Sequence, residues 1–357
     1  MDVTGTVAMG SPAEREQRSM QPSKLYRGAL ANMLLGMFVF TSFTAAATET
    51  KVGLLRSIQN GGIFVAQEKG YFAAEGLATE LVFFNTAQQI PAAVASHAVD
   101  FGAAGTTASL YSSGLQGTLR IIGGVARETA GYRLYGLAVS PRAYEAGLKT
   151  FKDLPGHSVA VATVGAPAHY GLALIAGRYG FPLTDVRLLP EPAYTSIVAA
   201  VSSGQADAGI IPATAMLAEM SRGAVRVIGW IGDEVPWQVS VIFTASAMAN
   251  ENGKAVLRFL RAYRKGARAY YDAFTAPDGS RKDGSTAPEI LSIVAQYIGH
   301  PGEQIRAGIA YVDPEARLDV RDILRQVEWY RKEGLVDEAQ LAERIIDDHY
   351  VIPLPQR

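Results

Sequence analysis

Five histidines, His97, His157, His169, His300 and His349, are the side chains of this chain best suited to proton transfer or metal ligation near neutral pH. Their spacing supports neither use. They are scattered, with no H-E-x-x-H run and no metal-ligand interval, and the absence of cysteine removes thiolate nucleophiles and thiolate metal sites. No G-x-S-x-G, Walker A or G-x-G-x-x-G run is present either. Neither a metal, a cofactor nor a catalytic residue is expected, and four of the histidines read as surface or loop residues. His169 differs because it opens a helical pattern beside the turn Gly165-Ala166-Pro167. With a carboxylate such as Glu191 it would form the acid–base pair of an alternative reading, an exported α/β enzyme acting on a small substrate.

Chemistry of another kind is offered by neutral polar residues just after apolar runs. These are Arg56, Gln59 and Asn60 in one segment, Asn85 and Thr86 in a second, and Thr106 and Thr107 in a third. Further along stand Thr163, Gly165, Ala166 and His169, then Tyr194, then Pro212. If the runs are strands and each loop feeds a helix, these residues lie where open α/β sheets bind ligands, outside the carboxyl ends of the strands. Helix N-termini there present unpaired N–H groups and partial positive charge, which suits an anion or a polar head group. Thr106 and Thr107 can cap a helix and touch a ligand together. Trp237 and Arg133 each precede a crossover run and fit the cleft mouth or plain packing equally.

The elements that would position these loops are written twice. Sliding Gln88–Leu110 onto Thr195–Leu217, an offset of 107 residues, gives ten identities over 23 ungapped positions, among them Ile90/Ile197, Asp100/Asp207, Gly102/Gly209 and Thr107/Thr214. Chance would give roughly two or three at ordinary residue frequencies. A period this long marks a duplicated lobe rather than a solenoid. The first copy reads as strand 51–55, helix 63–72, strand 77–84, helix 88–96, strand 99–104 and helix 106–112. The second reads as strand 157–163, helix 169–179, strand 186–189, helix 196–203, strand 206–211 and helix 213–220. Nearly continuous apolar strands alternating with helices predict a parallel sheet covered on both faces. Leu134–Val139 and Val239–Phe243 are placed to carry the chain between lobes, and amphipathic helices over 253–274, 288–298, 317–333 and 338–346 follow. Pro277–Thr286 reads as a flexible loop, and Asp100 and Asp207 as turn-formers bonding local amides.

At 48% hydrophobic and 19% charged residues, the 357-residue chain can build sizeable cores, and a net charge of -1 gives no footprint for nucleic acid. Lys24 and Arg27, the apolar run Ala29–Phe40 and the small residues Thr44-Ala45-Ala46-Ala47 follow the order of a secretory signal peptide, with cleavage expected after Ala47. The run is too short to span a bilayer, which takes about 20 residues. Residues before Met20 add nothing to the signal, so Met20 is a reasonable true start. Without cysteine the product cannot be a cysteine-tethered lipoprotein, and a soluble periplasmic protein is expected. The predicted division is a signal peptide at 1–47, the first part of lobe I at 48–138, lobe II at 139–240, and the return to lobe I with C-terminal helices at 241–357.

Four stretches carry a family likeness: Phe64–Leu77 (FVAQEKGYFAAEGL), Val99–Gly102, Phe151–Ala160 (FKDLPGHSVA) and Gly204–Ala208 (GQADA). In this order they resemble the substrate-binding proteins of ATP-binding cassette importers, in the NMT1/THI5-like group that includes sulfonate, taurine, nitrate and thiamine-precursor binders. The resemblance spans roughly residues 50 to 350. It implies a type II-like, two-lobed α/β binding-protein fold with duplicated β-α-β-α-β units, a two-strand hinge and C-terminal helices. It also implies a monomer that closes on one small molecule and hands it to a membrane permease driven by an ATPase. The cysteine-rich motif of members that synthesise a thiamine pyrimidine is missing. The loops offer mainly neutral donors, with Glu191 the one nearby acid, so a small organic anion such as a sulfonate or carboxylate is the expected ligand. A binding protein feeding a sensor is a further alternative.

Overall fold

The computed structural model describes residues 47–337 and 342–355. The predicted signal peptide lies outside the described residues up to Ala46. In chain order the strands are β1 (Thr48–Leu54), β2 (Leu77–Phe83), β3 (Phe101–Gly105), β4 (Leu119–Gly124), β5 (Ala126–Glu128), β6 (Tyr135–Val139), β7 (Ser158–Val161), β8 (Arg187–Pro190), β9 (Ala208–Pro212), β10 (Arg226–Trp230), β11 (Trp237–Gln238), β12 (Ser240–Ala245) and β13 (Tyr311–Val312). The helices are α1 (Gly61–Glu68), α2 (Tyr71–Ala74), α3 (Gln89–Ala95), α4 (Ala108–Leu115), α5 (Pro141–Glu145), α6 (Pro167–Tyr179), α7 (Tyr194–Ser203), α8 (Ala213–Ser221), α9 (Ile231–Glu234), α10 (Ser246–Glu251), α11 (Gly253–Phe274), α12 (Ala287–Ile298), α13 (Gly302–Ala307) and α14 (Val320–Lys332).

Two five-stranded sheets share one topology. Lobe I is ordered β2-β1-β3-β12-β4 and lobe II β8-β7-β9-β6-β10. In each, four strands run in one direction, and the fourth position is taken by a single antiparallel strand delivered from outside the repeat, β12 or β6. Their composition explains the interior places: YGLAV of β6 and SVIFTA of β12 are buried at every residue, whereas the lobe II edge strand β8 (RLLP) is exposed at both ends. The runs predicted to cross between lobes thus end up as inner strands. The crossing itself is made just before them by β5 and β11, which pair antiparallel (Trp237↔Glu128) and gain β13 on the other edge of β5. Runs of two or three residues carry too little periodicity to be read beforehand.

The duplication is visible bond for bond. Asp100 accepts the Lys51 N–H at 2.7 Å, and Asp207 accepts the Ser158 N–H at 2.9 Å, each spanning 49 residues. This corrects the expectation of local turns: each aspartate ties the start of its lobe's third strand to its first. Gly102 and Gly209 let a helix sit close on the sheet. A Cβ on Gly102 would fall 3.0 Å from Ile90 Cγ2 and 2.4 Å from the Phe243 ring, and one on Gly209 2.6 Å from Ile197 Cγ2. Ile90 and Ile197 are themselves a matched pair of the repeat. Gly209→Ala is expected to destabilise by about 1–3 kcal/mol through overpacking. Denaturant melts measure this, and an unchanged midpoint would refute the close contact.

Three local expectations change. Helix 63–72 is broken after Glu68, because Gly70 takes a left-handed φ of 69° before α2 restarts. The stretch 277–286 is an ordered turn in which Asp278 accepts the Ser280 N–H and hydroxyl, while Lys282 and Gly284 donate to Phe274 O and Ala273 O. The last predicted helix falls partly on 338–341, outside the described residues; what is described is a 3-10 turn, Ala342–Ile345.

Candidate ligand cleft between the lobes

The loops after β1 and β3 meet those after β7 and β8, while the start of α8 after β9 packs on Gly308. Short inter-lobe contacts join them. Ala108 N–H donates to Gly165 O at 3.0 Å, and Gln59 Nε2 donates to the Tyr135 hydroxyl at 3.1 Å, which lies 3.3 Å from the Tyr194 hydroxyl. Gly105 is needed where the rims meet, since a Cβ there would fall 2.5 Å from Pro167 Cγ. Burial raises the hydroxyl pKa of Tyr135 well above the usual range and that of Tyr194 too, so both remain neutral donors.

The predicted residues divide into three sets. Gln59, Gly165, Ala166, His169 and Tyr194 gather where the lobes meet, together with Thr106 and Thr107. Thr107 caps α4 by accepting the Leu110 N–H, and Thr106 O accepts the Tyr330 hydroxyl at 2.9 Å. A second set sits at the margin. Thr163 and Asn85 are exposed and Thr86 and Pro212 half-buried, while the Arg56 guanidinium stacks 3.8 Å over Phe83 and donates to Tyr297 O. Asn60 is buried with Nδ2 on Leu55 O and no partner at Oδ1. Trp237 stands apart from both. It is 0% exposed and lies on the crossing ribbon against Tyr170 and Gly171, with no hydrogen-bond partner at Nε1.

His169 is positioned by the turn before α6. Gly165, at φ 80°, points its N–H at His169 Nδ1 (3.2 Å), which leaves the ring proton on Nε2. Its ring meets the Trp329 ring edge-on at 4.9 Å. Burial drives its pKa down to about 4. The folded state then holds His169 neutral where the unfolded chain, near 6.5, takes up a proton. Stability is therefore full above pH 6.5 and falls as pH drops toward 4, at up to about 1.4 kcal/mol per unit. His169→Gln should remove that acid-side loss, read as the difference between denaturation midpoints of the two proteins from pH 7 to 4.5. Identical slopes would overturn it. Among the described residues no carboxylate lies within ion-pair distance of His169, Glu191 included.

Helix α14 contributes residues that sequence reasoning missed. Asp322, Gln326 and Tyr330, all 0% exposed, stand at i, i+4 and i+8 and so share one helix face. Asp322 accepts the Gln238 N–H (2.8 Å), the Gln326 amide (2.7 Å) and the Tyr170 hydroxyl of lobe II (3.3 Å). Gln326 accepts the Tyr111 hydroxyl of lobe I at 2.8 Å. Tyr330 donates to both Thr106 O and Gly165 O, one from each lobe. The helix thereby spans lobe I, the crossing strands and lobe II. The i, i+4, i+8 polar stripe, interleaved with buried Ile323 and Val327, was a legible sign that this face is not solvated.

Glu128 on β5 was also missed. It is fully buried, its Oε1 accepts the Tyr135 N–H at 2.8 Å, and Oε2 has no partner and lies against Gly232, where a Cβ would be 2.4 Å away. Burial above all pushes its pKa up to about 8, and Asp233 adds to the shift.

Two lobes of identical sheet order, a crossing ribbon and facing loop rims define the periplasmic-binding-protein fold. The Escherichia coli periplasmic aliphatic sulphonate binding protein SsuA superposes with a TM-score of 0.68 at 17% identity, over 85% of this chain and 98% of that one. The Xanthomonas axonopodis pv. citri alkanesulfonate-binding protein SsuA, bound to MOPS, gives 0.67 at 17% identity, over 85% and 99%. A desulfurization enzyme, DSZB, also shares the fold, with a TM-score of 0.60 and 15% identity over 85% and 96%. The NMT1/THI5 like family model matches residues 57–278, more than half the chain, and the chain belongs to that family. No curated protein matches. No helix among the described residues is long and apolar enough to cross a membrane.

Proposed function

We propose that this protein is a periplasmic solute-binding protein that delivers a small organic anion, a sulfonate or carboxylate, to an ATP-binding cassette importer. The observation that carries the reading is the set of polar contacts shared by the two rims: Gln59 to Tyr135 and Tyr194, and Ala108 to Gly165. Such contacts exist only when the lobes are together, so a ligand that touches both rims shifts the population toward the closed form. The polar groups there are neutral: the Tyr135 and Tyr194 hydroxyls, the Gln59 amide and the His169 Nε2–H. These suit the oxygens of a dispersed anionic group better than a cation. The alternative of an enzyme is less well supported, because the Nδ1 of His169 is occupied by Gly165 rather than by an orienting carboxylate.

A thermal-shift and scattering screen of the chain from Thr48 onward, against sulfonates, carboxylates, nitrate and pyrimidines, tests this. A true ligand at 100 times its dissociation constant adds about 2.7 kcal/mol to stability. If none of the four classes stabilises the protein, the proposal fails.

A further inference from the structure

We propose that the outer face of α11 is a docking surface for an anionic lipid bilayer. The helix buries Val256, Phe259, Leu260, Tyr263, Ala267 and Tyr270, and its opposite face carries Lys254, Arg258, Arg261, Lys265 and Arg268. Intervals of four, three, four and three residues confine these five cations to an arc of about 80° and a line about 21 Å long. Acidic compensation is partial: Glu75 serves both Arg261 and Lys265, and Glu315 serves Arg268. Lys254 and Arg258 have no carboxylate partner among the described residues. Counting Asp272, exposed on the same arc one turn beyond Arg268, five cations stand against Glu75, Glu315 and Asp272, so the row is net positive on a chain whose net charge is -1.

The shape of this face favours a bilayer over an acidic protein. The cations stand in one row along the exposed face of the helix, and Leu257, 42% exposed, flanks the row as an apolar group able to enter a headgroup layer. The chain also reaches the described structure at this face. Thr48 N–H donates to Gly76 O at 2.9 Å, and Arg258 lies next to Gly76, so the row begins beside the first described strand.

The test is vesicle co-sedimentation of the chain from Thr48 onward, at low and high salt. It compares vesicles of phosphatidylglycerol and phosphatidylcholine with vesicles of phosphatidylcholine alone. The expected result is salt-sensitive binding to the anionic vesicles only. It should weaken at least about tenfold in Lys254→Glu/Arg258→Glu, whose thermal midpoint should match the parent because neither side chain has a partner to lose. Equal binding to both vesicles, or binding untouched by the double variant, overturns the proposal. Retention on immobilised polyglutamate without any vesicle binding overturns it too, and assigns the row to an acidic protein.

Discussion

Glu128→Gln should flatten the alkaline side of the stability profile. In the folded protein the Glu128 carboxyl titrates near pH 8, against an ordinary value of 4.5. Below pH 4.5 it is neutral folded and unfolded, and contributes no difference. Between 4.5 and 8 the unfolded chain releases the proton and the folded chain keeps it, so stability falls as pH rises, at up to about 1.4 kcal/mol per unit. Above 8 the loss levels off, having reached several kcal/mol. Glutamine has the same shape, stays neutral throughout and still accepts the Tyr135 N–H. The gap between variant and parent should widen from pH 5 to pH 8, read as urea midpoints at unit intervals. Parallel profiles would show that Glu128 ionises normally. Asp322, also raised by burial, acts in the same direction, but it is common to both proteins and cancels from the difference.

The second large effect is expected at Asp322. Asp322→Ala leaves the Gln238 N–H and the Tyr170 hydroxyl without their acceptor inside a fully buried network, and takes from the Gln326 amide one of its two acceptors, Gln238 O remaining. Each orphaned donor costs about 1–3 kcal/mol, and loss of one member of a buried charged set about 3–5 kcal/mol in all. The Arg325 ion pair adds little, since that arginine is 64% exposed. Because the network joins both lobes through α14, affinity for the ligand should fall along with stability, as the binding-competent arrangement becomes less populated. Asp322→Asn, which keeps one acceptor oxygen, should lose much less of both. An alanine variant within 1 kcal/mol of the parent, on the principle that surface changes are that small, would show the network to be incidental.

The architecture was largely legible because its information is periodic. Apolar strands, helical patterns and the 107-residue echo recur often enough to be counted, and the long helix Gly253–Phe274 was bounded at both ends. The cleft was legible only as a set of loops. Which of their residues meet depends on how the lobes approach one another, and no local pattern encodes that. Arg56 looked like an anion ligand, and its stacking on Phe83 comes from a strand 27 residues away. The buried polar groups of the crossing region were hidden for a different reason. Glu128, Asp322 and Gln326 belong to residue types that are nearly always solvated, and only tertiary contact reveals them as interior.

The exchange of strands between sheets also dictates the order in which the molecule can be completed. Lobe II takes all five strands from the continuous stretch Tyr135–Trp230 and can be finished as soon as that stretch is available. Lobe I begins earlier yet lacks β12, the strand that fills the gap between β3 and β4, until lobe II has been made. A chain emerging from a ribosome or a translocation pore therefore carries two exposed edges on its N-terminal sheet throughout that interval, open to wrong pairing. The half that starts first matures last, and it is there that a chaperone would have something to hold.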